Sequence, residues 1–397
     1  MTGAAQGERH HPHAGFTAIE LLISMAIMLV VGASALALVA PLRALFDAAS
    51  ATADLSQRLR AGAAVLSRDL ASAGSGLVAV DEHGGFGSLL PAVLPDTLPA
   101  VGGSAAPVAF RPSTLTMLSV PPSAAQATLA AGVTGLVDPL MLSPTPFCAG
   151  ALAACGFSAG TPLVVFDEMG AWDLVTVSSV NDAVRGVWHV ATPRTQPYPA
   201  GAIVARIARR TYAVREDAAT GALSLTRDEG GGAAQTMIDF VAGFEVELLG
   251  TPQPPLVRAV DDEGWSWTTY GPPPPPIGHG AGAWPDGENC VFARSAEAAP
   301  VPRLATLGAG HALVPLAEAE LTDGPWCPDA LAARRYDADL LRVRQAVITL
   351  RVQVASTMLR GPAGALFARG GTGRSRVRVP DREVRFAVTP RSLGAER

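Results

Sequence analysis

GFTAIELL, residues 15–22, is the stretch that decides the fold, because the character of the chain changes abruptly there. The residues before Phe16, MTGAAQGERHHPHAG, form a short polar segment. From Leu21 to Ala40 the chain then contains no charged residue. A run of about 20 residues in an α-helix extends roughly 30 Å, the thickness of the hydrocarbon core of a bilayer. The pattern predicts an N-terminal helix that crosses a membrane.

Glu20 distinguishes three interpretations of this segment. A secretory signal would be cut after the apolar run, where small-residue choices exist between residues 33 and 37. A plain signal anchor would stay uncut. Neither explains an acid at the head of a membrane helix, which is costly and indicates a functional site with a partner. A cut between Gly15 and Phe16 would create an α-amine one helical turn from Glu20, so that amine and carboxylate neutralise each other within one chain or between neighbours.

These residues resemble the prepilin cleavage and methylation motif of type IV pilins and type II secretion pseudopilins. The resemblance implies that the prepilin peptidase, a membrane aspartyl enzyme, cuts after Gly15 and methylates Phe16. It also implies that Glu20 meets the Phe16 amine of an adjacent subunit during assembly with other pilins or pseudopilins. One departure is the weak positive charge of the leader, in which Glu8 opposes Arg9.

The helical period continues beyond Pro41. Apolar and small residues form one stripe through positions 45, 52, 55, 59, 62, 66 and 70, and the sequence AGSG at 73–76 predicts the helix end. One nearly continuous helix from Phe16 to Ala73 would measure about 85 Å. Its first half would lie in lipid and its second half would pack on a sheet. A kink at Pro41, or two separate helices, is the alternative.

Apolar alternation predicts antiparallel strands in the rest of the chain. Leu163–Phe166 and Leu174–Val177 read as a hairpin, Leu115–Val120 as a short strand, and Val347–Val354 as a strand with one buried face. Residues 121–147 read as a loop of small residues. The order of later segments resembles the body of PilW-type minor pilins, with J-type pseudopilins of type II secretion as the alternative. The segments that carry this resemblance are Thr211–Val214, Leu225–Arg227 and Ile238–Phe244.

The expected fold class is α+β and pilin-like, with a long N-terminal helix packed on an antiparallel β-sheet and a large loop-rich insertion. The expected organisation is a leader peptide (1–15), a transmembrane and polymerisation helix (16–41), an amphipathic helix that continues it (42–75), a β domain (76–250), a Pro/Trp-rich insertion (251–335) and C-terminal strands of the β domain (336–397). The insertion reads as a surface segment, or as an aromatic face that contacts a partner.

The four cysteines form two sequence-local pairs, and an even count in an exported domain favours disulfides. Local closure would join Cys148 to Cys155 and Cys290 to Cys327. Free thiols and a zinc site are the alternatives, although no CxxC spacing supports zinc.

No motif of a known catalytic class is present, so we expect no enzyme activity, no cofactor and no metal. The net charge of −5 carries no sign of a nucleic-acid partner. Three alternating arginines at 374, 376 and 378 read as a solvated strand face or, alternatively, as an anionic-surface patch.

The sequence therefore predicts a minor pilin or pseudopilin. We expect a single-pass protein of the bacterial inner membrane with a periplasmic C-terminal domain, which then joins a type IV pilus or a type II secretion pseudopilus, in a priming or tip position. The alternative is a membrane-anchored periplasmic binding or sensing domain that does not polymerise.

Overall fold

The structure is a computed structural model, which describes residues 15–76, 90–95, 113–121, 125–144, 154–167, 171–191, 193–194, 196–229, 233–254, 257–260, 264–267, 271–272, 274–278, 283–328, 330, 335–372 and 377–391. The chain divides into two compact units. One contains the chain through Asp54 together with Val354–Pro380, and the other contains Leu55–Gln353 together with Asp381–Arg397. Every strand named below belongs to the second unit.

One long α-helix, α1, extends from Ala18 to Ala71 and is continuous through Pro41. Its 54 residues correspond to about 81 Å at the standard rise. The prediction of one nearly continuous helix is confirmed, and the alternative of two separate helices is wrong. Glu20 lies in the first turn and Arg68 in the last, where each charge complements the helix dipole. Two short 3₁₀-helices are η1 (Ala338–Arg342) and η2 (Thr357–Leu359).

The strands have between two and ten residues each. The first twelve are β1 (Val93–Leu94), β2 (Thr114–Ser119), β3 (Gln126–Leu129), β4 (Leu140–Pro144), β5 (Pro162–Phe166), β6 (Trp172–Thr176), β7 (Ser179–Asn181), β8 (Gly186–Trp188), β9 (Ile203–Arg206), β10 (Ala208–Glu216), β11 (Leu223–Asp228) and β12 (Gln235–Asp239). The others are β13 (Val241–Gly250), β14 (Val257–Val260), β15 (Gly264–Trp267), β16 (Phe292–Arg294), β17 (Pro300–Pro302), β18 (Val314–Pro315), β19 (Trp326–Cys327), β20 (Tyr336–Asp337), β21 (Val343–Val352) and β22 (Arg382–Val388).

The C-terminal part of α1 packs on two antiparallel sheets. Their strand orders are β1-β2-β10-β11-β12 and β18-β13-β21-β22. Gly62 faces both sheets, because a Cβ placed there would lie 2.1 Å from Cδ1 of Ile238 on β12 and 3.4 Å from Cδ2 of Leu350 on β21. The helix face that carries Gly62 also buries four leucines, which are Leu55, Leu59, Leu66 and Leu70. The predicted packing of this half of the helix on antiparallel sheet is therefore present.

Phe240 makes the corner between these two sheets. It is the single residue between β12 and β13, and its φ is +57°. A positive φ is uncommon for a bulky residue. Arg58 of the helix lies over the Phe240 ring, 5.6 Å from its centroid, and donates to the Asp239 carbonyl at 3.0 Å. The helix thus holds the turn at which the chain passes from one sheet to the other.

A third sheet is inserted between two neighbouring strands. β2 pairs directly with β10, although the chain between them builds a seven-stranded sheet with the order β6-β5-β9-β3-β4-β8-β7. This sheet has its own hydrophobic core, which includes Leu129, Leu142, Leu163, Val165, Val175, Val187 and Val204. The predicted hairpin is confirmed as β5 and β6. The predicted loop at 121–147 is wrong because β3 and β4 lie in it; their short runs between small residues leave no readable alternation.

A second insertion likewise lies between two strands that pair with each other. β13 pairs with β21 along most of its length, and residues 251–342 lie between them in sequence. This segment forms β14–β20 and η1, and it contributes β18 to the edge beside β13. The residues expected as one β domain, 76–250, thus contribute to three different sheets.

A buried carboxylate fastens the helix end to the five-stranded sheet. Asp69 is buried, and its Oδ2 accepts a hydrogen bond of 2.7 Å from the Tyr212 hydroxyl. Arg210 and Arg227 lie 3.5 Å from its two oxygens. Glu229 in turn pairs with both arginines. Burial and the bond to Asp69 raise the pKa of Tyr212 well above its usual range, so the hydroxyl stays protonated and remains a donor.

We predict that Asp69→Ala lowers the free energy of unfolding by about 3 kcal/mol, because it leaves the buried Tyr212 hydroxyl without its acceptor and removes one of the two carboxylates that pair with Arg210 and Arg227. Denaturant unfolding of the full chain in detergent, followed by tryptophan fluorescence, measures the change. Asp47→Ala, at an exposed position of the same helix, serves as the control and should change stability by less than about 0.5 kcal/mol. Equal effects of the two substitutions would contradict the prediction.

Candidate functional site

The head of α1 is a capping box formed by Thr17 and Glu20. The Oε2 atom of Glu20 accepts from the Thr17 backbone N–H at 3.0 Å and from the Thr17 hydroxyl at 2.9 Å. The Thr17 hydroxyl oxygen accepts from the Glu20 N–H at 3.3 Å. These reciprocal bonds satisfy N–H groups that have no partner within the first turn. Glu20 therefore has a local partner in the uncut chain, which the sequence reasoning missed although the T-x-x-E pattern indicates it.

Gly15 and Phe16 directly precede the helix whose first turn contains Glu20. Gly15–Thr17 is exposed and precedes the helix. Phe16 is 89% exposed. Among the residues that the structure describes, none has an atom within 4 Å of a Cβ added at Gly15. The peptide bond between Gly15 and Phe16 is thus in accessible, non-helical backbone, the condition that a peptidase needs.

The apolar part of α1 is exposed along its length. The large side chains from Ile19 to Phe46 lie at the surface, among them Leu22, Met28, Leu29 and Leu36. The helix is long and apolar enough to cross a membrane, and no residue of its most apolar stretch is buried. An exposed apolar surface of this extent indicates a membrane or another chain as its environment.

The predicted pairing of Cys290 with Cys327 is present as a disulfide, with the Cα atoms 5.2 Å apart. It joins positions 37 residues apart in the second insertion. Cys155 is buried and disulfide-bonded. Cys148, its expected partner, lies outside the described residues. The three cysteines that the structure describes are therefore all disulfide-bonded, as predicted.

Three carboxylates come together beside this disulfide. One carboxylate oxygen from each of Asp323, Asp337 and Asp339 lies within 4.8 Å of the other two. Asp337 accepts from the Gly324 N–H at 2.6 Å and from the Asp339 N–H at 2.9 Å, and Asp339 forms an ion pair with Arg342. Both buried carboxylates are therefore already engaged, and the cluster by itself assigns no metal.

Arg342 ties separate segments of the insertion together. It is fully buried, and its guanidinium donates to the carbonyl oxygens of Pro252, at 3.0 Å, and Ala305 while it pairs with Asp339. Burial raises the pKa of Asp337 to about 7 and that of Asp339 to about 6. The cluster acts as a structural clasp whose charge changes near neutral pH.

A second buried network lies in the seven-stranded sheet region. Tyr198 donates to Asp173 at 3.1 Å, and Arg194 lies 5.8 Å from the Tyr198 ring centroid. Arg194 also donates to the carbonyl oxygens of Gln196 and Gly135. Burial raises the pKa of Tyr198 and lowers that of Arg194. His189 is buried, and its Nε2 lies 3.1 Å from the Asp138 carbonyl oxygen.

Comparison with protein-family models, with characterised proteins and with solved structures found no match to this chain.

We predict that the second insertion becomes more stable as the pH falls from about 8 to about 5. A carboxyl whose pKa is raised by folding favours the folded state when protonated, so this stability is present at low pH and lost as the pH rises through about 7. Asp337→Asn should remove a pH dependence on the order of 2 kcal/mol.

Thermal unfolding of the full chain at several pH values, with each variant compared to the parent, measures this effect. Asp286→Asn is the matched control, because it also removes one carboxylate charge of the same insertion but at an exposed position. An unchanged pH slope in Asp337→Asn would contradict the assignment.

Proposed function

We propose that this chain is a minor subunit of a type IV pilus or a type II secretion pseudopilus, most similar to the PilW type, made with a leader that the prepilin peptidase removes after Gly15. The observation that carries the proposal is the GFTAIELL motif at the exposed start of a helix whose apolar surface is left uncovered by the part of the chain that the structure describes. The inner membrane covers that surface before assembly, and neighbouring subunits cover it afterwards.

The division of α1 into two environments supports this function. Its apolar part has no cover within the described chain, whereas the part from Leu55 to Leu70 is buried on one face by two sheets. A polymerising subunit requires the first condition for helix-to-helix packing in a filament core. It requires the second to carry a rigid globular domain on the same helix.

The capping box refines the role of Glu20. Both Thr17 bonds reach the same carboxylate oxygen, Oε2. A carboxylate accepts at two oxygens, so Glu20 can cap its own helix and still receive the ammonium of a neighbouring Phe16. Its charge would then serve assembly, and its hydrogen-bonding geometry would serve the helix start.

The two insertions support a priming or tip position. Residues 120–207 and 251–342 add a seven-stranded sheet and a disulfide-closed segment to the five-stranded and four-stranded sheets. A shaft subunit is enclosed by neighbours on all sides, and such additions would meet them. A subunit at the tip has one end without neighbours.

Processing is tested with Gly15→Val. The Cβ of the added side chain meets no atom of the described residues within 4 Å, so we expect an effect to report recognition by the peptidase and not misfolding. Intact mass of the membrane-extracted protein should show the parent beginning at a methylated Phe16 and the variant retaining Met1–Gly15. Ala18→Val, beyond the cut, should be processed normally. A parent that retains its leader would overturn the proposal and favour the anchored binding or sensing domain.

Assembly is tested by separating charge from capping at Glu20. Glu20→Gln keeps an oxygen that accepts from Thr17 but removes the charge, whereas Thr17→Ala removes the cap and keeps the charge. We expect Glu20→Gln to lower incorporation into sheared filaments or pseudopili at least about tenfold, which corresponds to ~1.4 kcal/mol, at unchanged membrane levels. Thr17→Ala should incorporate close to normally. The reverse order of the two variants would assign Glu20 to capping alone.

A further inference from the structure

The end strand of the seven-stranded sheet contacts the second insertion. β6 is the last strand of that sheet and pairs with β5 on one side. Its Trp172 is only 1% exposed, and the indole ring packs on the phenol ring of Tyr336 in β20, with the ring centroids 5.9 Å apart and the planes tilted by 34°. The two insertions, which enter the fold at separate places in the sequence, are therefore joined by this aromatic contact.

Asp337, the neighbour of Tyr336, holds the backbone on both sides of β20. Its carboxylate accepts from the Gly324 N–H at 2.6 Å, before β19, and from the Asp339 N–H at 2.9 Å, in η1. β19 and β20 pair with each other, and Cys327 of β19, opposite Tyr336, belongs to the disulfide described above. The position of the Tyr336 ring against β6 thus depends on the hydrogen bonds that the Asp337 carboxylate makes.

Negative charge prevails around Asp337 when every carboxyl group in the described part of this region is ionised. Asp323 and Asp339 lie beside it, and Arg342 pairs with Asp339. Glu320 is a further acid near Asp339. The adjoining elements contribute two more charged groups, namely Arg335, 5.2 Å from the ring centroid of Trp326 in β19, and Asp173 of β6, which accepts from the Tyr198 hydroxyl. The single buried guanidinium of Arg342 does not offset the carboxylates that surround it.

Burial, together with this excess of negative charge, raises the pKa of Asp337 to about 7. Burial also raises the pKa of Asp339 to about 6, although Arg342 opposes the shift. Both groups therefore bind a proton more readily in the packed arrangement than in water. It follows that protonation favours the packed arrangement, and that this contribution is lost as the pH rises through about 6 to about 7.

We propose that β20 is a pH-sensitive latch on β6, which is closed while the carboxylate cluster is protonated and opens when the cluster is ionised. Opening separates Tyr336 from Trp172 and exposes the side of β6 that faces away from β5, where an end strand has backbone N–H and C=O groups without a strand partner. The indole ring and the strand edge then become accessible to another chain at the higher pH. The latch extends the effect of Asp337 to the first insertion, and it is independent of leader processing and filament assembly.

Hydrogen–deuterium exchange of the full chain in detergent, followed by mass spectrometry, tests the latch between about pH 5 and about pH 8. Labelling times are scaled to the intrinsic exchange rate at each pH. We expect the protection of β6 and β20 to fall together by at least about tenfold across this range, the ratio that one unit of pKa shift supplies. The hairpin of β10 and β11 is the internal reference and should keep its protection, because the Tyr212 hydroxyl stays protonated throughout.

Three variants identify the group that titrates. Asp337→Asn removes the charge and should make the protection of β6 independent of pH. Asp286→Asn, at an exposed position of the same insertion, should retain the pH dependence of the parent. Asp323→Asn removes a repelling charge from the exposed member of the cluster, and it should make the fall in protection at β6 smaller.

The parent alone can refute the latch, because unchanged protection of β6 and β20 over the pH series would overturn it. A fall at β20 without one at β6 would overturn the coupling between the two insertions. An equal fall in the hairpin of β10 and β11 would assign the pH effect to the whole domain and would also overturn the latch. So would an undiminished fall at β6 in Asp337→Asn.

Discussion

The packing of the leucine face of α1 on two sheets is the contact on which the rest of the structure depends. Gly62 allows the helix to approach both Ile238 and Leu350. Each buried leucine contributes about 2 kcal/mol by removal from water. Because one helix face closes both sheets, the position of Asp69 on that face follows, and with it the ion pairs that reach β10 and β11. Both sheets thus pack on the same helix.

The first part of the same helix has the opposite property, since its apolar side chains lie at the surface. Water is a poor environment for such a surface, so a membrane or other helices must complete it. The capping box shows how the helix begins without help from another chain. It also explains why an acid is tolerated there, because Glu20 is held by Thr17.

The two insertions illustrate a limit of reading strands in order. β2 and β10 are direct neighbours, as are β13 and β21, yet long segments separate each pair in sequence. Alternation reports whether a strand has a buried face, and it predicted the hairpin of β5 and β6 and most of β21. It does not report which strand lies alongside, since pairing depends on contacts far apart in the chain. The hydrogen bond between Asp69 and Tyr212 could not be predicted from the sequence for the same reason, since the two residues are 143 positions apart.

The sequence by itself determined the long helix, its apolar start and its passage into a packed half. These properties depend on residues a few positions apart, so they can be read from local periodicity. The T-x-x-E cap and the pairing of Cys290 with Cys327 were also within its reach. Only the tertiary structure decided which strands pair across the two insertions and which carboxylates are buried. Burial and pairing are set by distant neighbours, and no local pattern in the chain encodes them.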